Sequence, residues 1–196
     1  MSDIQPIWDP KTVFSWKIVQ IINQDRQRWE KVKTFEYAER APWVRIIIVD
    51  KDDRICLTKE RRAELNWWVW WYDIRLPGGK VFDKLLDYVD FKDWNWDIIE
   101  QAKNTVEREA KEEVWIIPKN IEHLHTSVCG ATMKRDLIYF LVNDFEMSDD
   151  GQDLWERENI EILRSTPLDT KKYCLDGSVQ EDRSVAVLLR YLHANT

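Results

Sequence analysis

Residues 100–116 read EQAKNTVEREAKEEVWI, and the turn Leu76-Pro77-Gly78-Gly79 precedes them. The stretch predicts a helix that carries Glu109, Glu112 and Glu113 on one face, because positions three and four apart stack above one another. Carboxylates brought together repel and raise one another's pKa unless a cation sits among them. A hard divalent ion such as Mg²⁺ takes oxygen ligands and retains room for water and phosphate, so it suits such a cluster. The spacing alone favours a solvated, charge-rich helix face.

Working outward, Glu100 is followed by seven residues and then Arg108-Glu109-Ala110-Lys111-Glu112-Glu113-Val114-Trp115-Ile116. Turn and helix together resemble the Nudix box: Gly, five residues, Glu, seven residues, then Arg-Glu-U-x-Glu-Glu-x-Gly-U with U apolar. Two features depart from it. Twenty residues separate Gly79 from Glu100, and Trp115 stands where the box has glycine. Ala41-Pro42-Trp43-Val44 resembles the "APGV" entry of ADP-ribose pyrophosphatase-like members, again with Trp for Gly. The likeness spans about residues 12–192.

The resemblance implies an α+β fold, an α/β/α sandwich with a mixed sheet between helices. Residues 1–40 would be an N-terminal extension of antiparallel strands, and 41–196 the hydrolase domain, with an insertion at about 80–99. It implies Mg²⁺, or Mn²⁺, held by Glu109, Glu112 and Glu113, with Glu109 and Glu113 the closest pair and a backbone carbonyl near Gly79 as a further ligand. Gly78 and Gly79 would let the backbone approach without a Cβ. Glu100 and Arg108 would form a structural pair. Glu109 serves as proton acceptor only if the metal leaves it free. By likeness to a later Glu-x-Glu, Glu156 is otherwise the candidate base and Glu158 an additional ligand. Arg62 resembles an arginine that contacts substrate phosphate.

The implied activity is hydrolysis of the pyrophosphate bond in a nucleoside diphosphate linked to another moiety, ADP-ribose or a nucleotide sugar first. Nucleoside triphosphates, dinucleotides and a non-catalytic nucleotide-binding role are the alternatives. A homodimer built through the N-terminal strands is implied by the resemblance alone.

Composition bounds this reading. The 196 residues suffice for a full core. A net charge of −7 speaks against nonspecific nucleic-acid binding. Cys56, Cys129 and Cys174 lack CxxC spacing and read as reduced thiols. With no apolar leader or run long enough to span a membrane, the expectation is a cytoplasmic protein with no membrane partner.

The chain has 12 Trp and only 5 Gly, where a usual share of about 7% would give roughly 14 Gly. Several Trp sit where turns favour glycine: Trp8 before Asp9-Pro10, Trp29 in a polar stretch, Trp94 and Trp96 between aspartates. Trp115 falls at the expected C′ position of the helix, where a left-handed residue is normal. The counts suggest glycines translated as tryptophan, since UGA has both meanings among genetic codes.

Along the chain, 13–22 and 31–39 read as paired strands around a polar turn NQDRQRWE. Residues 44–50 and 54–59 follow as a strand pair, then a strand at 72–76. Phe82, Leu85, Leu86, Val89 and Phe91 partly follow helical spacing. Residues 121–128, 135–145 and 159–163 read as strands, and 178–192 as a helix. Trp67, Trp68, Trp70 and Trp71 read as a loop near the site, a stacking platform for a base, or core or interface packing. His123 and His125 share one strand face without an evident third ligand, which favours a polar face over a metal site.

Overall fold

A computed structural model describes residues 5–61, 72–94, 97–149 and 160–195. Its chain divides into two compact units: residues 1–43, 80–97 and 128–137 in one, and 44–79, 98–127 and 138–196 in the other.

The first unit is built on β1 (Gln5–Pro6), β2 (Lys11–Ser15), β3 (Gln20–Arg28), β4 (Lys31–Glu39) and β10 (Met133–Lys134). Their sheet runs β1-β3-β4-β10, with β2 also on β3. The β3–β4 hairpin is antiparallel from Gln20↔Glu39 to Arg28↔Lys31, whereas β10 joins β4 in parallel, so the sheet is mixed. This corrects the sequence reading of 13–22 as one strand and of NQDRQRWE as a turn. Strand character breaks at residues 16–19, and Asn23–Arg28 is strand. The segment lacks apolar alternation because Gln20 and Gln24 take inward positions beside Ile22. Gln20 donates to the Glu39 carboxylate at 2.6 Å and Gln24 to the Trp8 carbonyl at 2.6 Å, so burial is met by hydrogen bonds rather than apolar surface. Lys92 closes on the other oxygen of Glu39 at 2.7 Å. It lies on α1 (Leu85–Asp93), the short helix expected within 80–97, which buries Leu85 and leaves Leu86 exposed.

The second unit centres on a sheet ordered β13-β6-β5-β11-β9, with β7 also on β6. These strands are β5 (Trp43–Val49), β6 (Ile55–Arg61), β7 (Tyr72–Arg75), β9 (Glu122–Ser127), β11 (Leu137–Val142) and β13 (Ile160–Ser165). The apolar runs VRIIIV and LIYFLV become β5 and β11, and Ile46, Ile47, Ile138 and Phe140 are fully buried on them. Burying one such side chain is worth about 1.5–3 kcal/mol. Between β5 and β6, the Asp50 side chain accepts the N–H groups of Asp52 and Arg54, both at 2.9 Å, which fixes the turn.

Helix α2 (Ile98–Val114) presents Ala102, Val106, Ala110 and Val114 to the interior at four-residue spacing. It packs against β6 and against β8 (Ile116–Pro118), which pairs with β12 (Phe145–Met147). Helices α3 (Pro167–Leu175) and α4 (Asp182–Asn195) pack on each other, and α3 also on β13. Thr166 caps α3 by accepting the Asp169 N–H, with Pro167 in its first turn. Among the described residues, no helix is long and apolar enough to cross a membrane.

Of the three thiols, burial pushes Cys56 up to about 12 and Cys174 to about 11, whereas Cys129 is exposed. In the native protein a thiol reagent should therefore label Cys129 first, with Cys56 protected until unfolding; peptide mapping reads the order.

Candidate active site: a carboxylate pair over a glycine turn

Helix α2 and the Pro77-Gly78-Gly79 turn meet inside the second unit. The turn lies along β5: Val44 N–H donates to the Gly79 carbonyl and Ile46 N–H to the Pro77 carbonyl, both at 2.9 Å. Gly78 has φ +139°, and a Cβ there would overlap the Val44 carbonyl oxygen. A Cβ on Gly79 would fall onto the Glu109 carboxylate. Gly78 is thus required by the backbone, whereas a Cβ at Gly79 would have to displace the Glu109 side chain.

Glu109 is buried, at 8% exposure. One turn on, the Glu113 Oε2 accepts the Gly78 N–H at 2.9 Å. Burial pushes the Glu113 carboxyl up to about 8, the charge of Glu109 adds to the rise, and the Gly78 N–H opposes it. Glu60 on β6 raises it further and Arg45 on β5 lowers it. Glu60 is itself held by Arg75 at 3.1 Å.

Glu112 does not join this pair. Its Oε2 accepts from Arg108 Nη1 at 3.0 Å, while Arg108 Nη2 meets Glu109 Oε1 at 2.8 Å. The expected triad is thus a Glu109–Glu113 pair flanked by an Arg108 clamp. Among the described residues, no three His, Cys, Asp or Glu side chains are grouped closely enough to hold an ion. The expected Glu100–Arg108 pair is corrected as well: Glu100 pairs with Lys103 at 2.7 Å. Eight residues of helix put Glu100 and Arg108 about 12 Å apart along the axis, so each finds a partner within one turn.

The pair nonetheless fits a divalent cation. Two adjacent, desolvated carboxylates, one with its proton affinity raised by the other, are what a bound cation relieves. The Gly79 carbonyl accepts the Val44 N–H, and a carbonyl oxygen carries a second lone pair.

Arg62, Glu156 and Glu158 lie outside the described residues, as do Trp67, Trp68, Trp70 and Trp71. His123 bonds Thr126 at 2.9 Å and lies edge-on to Phe140, and His125 lies against Tyr139, which fits the polar-face reading. A cavity of about 450 Å³ in the first unit, lined by Tyr37, Glu39 and Lys134 among others, holds none of the expected site residues. Cavity volume therefore does not locate this site.

Sequence reasoning missed Arg45, Glu60 and Glu181. The available signal was one arginine inside the apolar run VRIIIV: a fully buried guanidinium needs acceptors.

Neither a protein-family model nor a curated protein matches this sequence. Among solved structures, the crystal structure of an ADP compounds hydrolase matches with a TM-score of 0.64 at 16% identity, over 98% of this chain and 92% of that one. The two chains share a fold. The mixed α+β Nudix fold expected from the sequence is the fold observed.

Proposed function

We propose that the chain is a Mg²⁺-dependent hydrolase of the pyrophosphate bond in a nucleoside diphosphate linked to another moiety, with ADP-ribose or a nucleotide sugar as the first candidates. The observation that carries this reading is the Glu109–Glu113 pair set against Gly78 and Gly79. The likeness in fold to an ADP compounds hydrolase supports it.

On this reading Glu109 and Glu113 hold Mg²⁺ or Mn²⁺, with the Gly79 carbonyl alongside. Glu112 reaches the site only by leaving Arg108. A bound Mg²⁺ supplies charge neutralisation at the phosphates and lowers the pKa of an attacking water. The protein's own part is to orient both carboxylates. The Gly78 N–H fixes one oxygen of Glu113, and Arg108 fixes one of Glu109. Proton acceptance falls to Glu156, with Glu158 as a further ligand and Arg62 on phosphate; these three roles rest on resemblance. Residues 41–196 form the hydrolase domain, 1–40 a strand extension that serves a homodimer, and about 80–99 an insertion.

The finding of a pair rather than a triad is what a non-catalytic nucleotide-binding role would rest on. Incubating the protein with Mg²⁺ and a panel of ADP-ribose, nucleotide sugars, dinucleotides and triphosphates separates the two. Release of AMP or another nucleoside monophosphate from a diphosphate conjugate is the expected result. Tight nucleotide binding without turnover of any compound would establish the binding role instead.

A further inference from the structure

We infer that Arg45 is a positioning residue for the Glu113 carboxylate, an inference that rests on the metal-site reading above. Arg45 is 2% exposed, yet its guanidinium spans two elements. Nε donates to Glu181 Oε2 at 2.9 Å, and Nη1 donates to the Gly78 carbonyl at 3.1 Å and the Val44 carbonyl at 3.3 Å. Gly78 in turn donates its N–H to Glu113. The residue that orients Glu113 is thus held on its carbonyl side by Arg45.

Glu181 is fixed as well. Ser184 Oγ donates to the same Glu181 oxygen at 2.9 Å, which leaves Tyr139 Oη as the donor in its 3.2 Å contact with Ser184. The relay runs Tyr139, Ser184, Glu181, Arg45, Gly78, Glu113. Each step is a directed hydrogen bond, and the Arg45 fork serves three acceptors at once, which a lysine ammonium matches poorly.

Arg45→Lys keeps the charge and loses the fork, whereas Arg45→Met risks unfolding by leaving the Glu181 carboxylate without its cation. The decisive readout is amide hydrogen exchange in the metal-free protein. In Arg45→Lys the Gly78 N–H should exchange at least about tenfold faster, while the Ile46 N–H, bonded to Pro77, changes little. Mn²⁺ affinity, followed by the free-ion resonance signal, should weaken several-fold, and Glu181→Gln should act in the same direction. Unchanged Gly78 protection in Arg45→Lys would overturn the inference. Failure of the wild type to bind Mn²⁺ would instead overturn the metal site, leaving the exchange result to decide the relay.

A second inference stands on the backbone alone: we propose that Trp29 and Trp115 are glycines in the native polypeptide. Among the described residues three non-glycine residues have positive φ, namely Trp29 at +56°, Asp53 at +56° and Trp115 at +59°. Asp53 sits in a turn where aspartate tolerates this conformation. Tryptophan has no such accommodation, and each indole lies at the surface, 73% exposed at Trp29 and 37% at Trp115. Trp29 occupies the tight β3–β4 turn, and Trp115 the residue after α2, with its carbonyl accepting the Ser148 N–H at 2.7 Å. Both are places where a residue without Cβ costs least. Trp8, Trp16 and Trp94 are also exposed and Trp43 is half-buried, so among the described residues no tryptophan is fully buried in the core. That is unusual for a side chain that buries about 150–250 Å² where it packs.

The test is the codon and the mass. Peptides from the protein in its source cells should carry glycine at positions 29 and 115, encoded by UGA. UGG codons, or tryptophan in those peptides, would overturn the proposal. In recombinant protein, Trp29→Gly and Trp115→Gly should each raise the folding equilibrium constant about fivefold or more, from the strain relieved at positive φ. Trp94→Gly, at φ −83°, should give no such gain. Equal responses at all three positions would remove the strain argument.

Discussion

Glu113→Gln should lower turnover by about 10³-fold, equivalent to about 4 kcal/mol of transition-state stabilisation, while the fold stays intact. The amide is nearly isosteric and its oxygen can still accept the Gly78 N–H. What it loses is the negative charge that would hold a cation. The pH dependence should separate this from a folding defect. Burial, with Glu109 second, raises the Glu113 carboxyl from 4.5 to about 8. The folded state therefore holds a proton that the unfolded state releases. Stability from this group is full below about pH 4.5 and is lost as pH rises toward 8. Glu113→Gln cannot release that proton, so at pH 8 in the absence of metal the variant should melt above wild type, with the advantage gone at pH 4. Metal binding needs the carboxylate, so wild-type Mg²⁺ affinity should weaken as pH falls through about 8. Near wild-type turnover in Glu113→Gln would remove this residue from the site.

How much of this was legible in the sequence follows from how local each interaction is. Helix α2 was legible because Ala102, Val106, Ala110 and Val114 repeat every four residues within the helix itself. So was the left-handed residue after it, now seen at Trp115. Strand β3 was not, since Gln20 and Gln24 satisfy their burial with partners 19 and 16 residues away. The carboxylate cluster was half legible. Spacing placed Glu109 near Glu113, but it could not decide whether Glu112 would turn to the site or to Arg108, both within one turn of helix. Arg45 was least legible: its acceptors Gly78 and Glu181 are 33 and 136 residues away, and only the tertiary fold brings them to it.

Gly78→Ala and Gly79→Ala should fail in different ways, although the residues are adjacent. At Gly78 the obstacle is backbone: φ is +139° and the new Cβ meets the Val44 carbonyl. Neither β5 nor the turn can yield without losing the Val44–Gly79 and Ile46–Pro77 hydrogen bonds. The expected cost is about 2–3 kcal/mol, or roughly 5–10 °C in Tm for a domain of this size. At Gly79 the obstacle is the Glu109 carboxylate, a side chain that can rotate away. Stability should change little there, since moving Glu109 also relieves its repulsion of Glu113. Activity should fall about as far as in Glu113→Gln, because the displaced carboxylate no longer faces its partner. Melting curves and Mn²⁺ titrations on the two variants read this apart. If Gly79→Ala keeps full Mn²⁺ affinity, Glu109 does not take part in holding the ion, and the pair reduces to Glu113 alone.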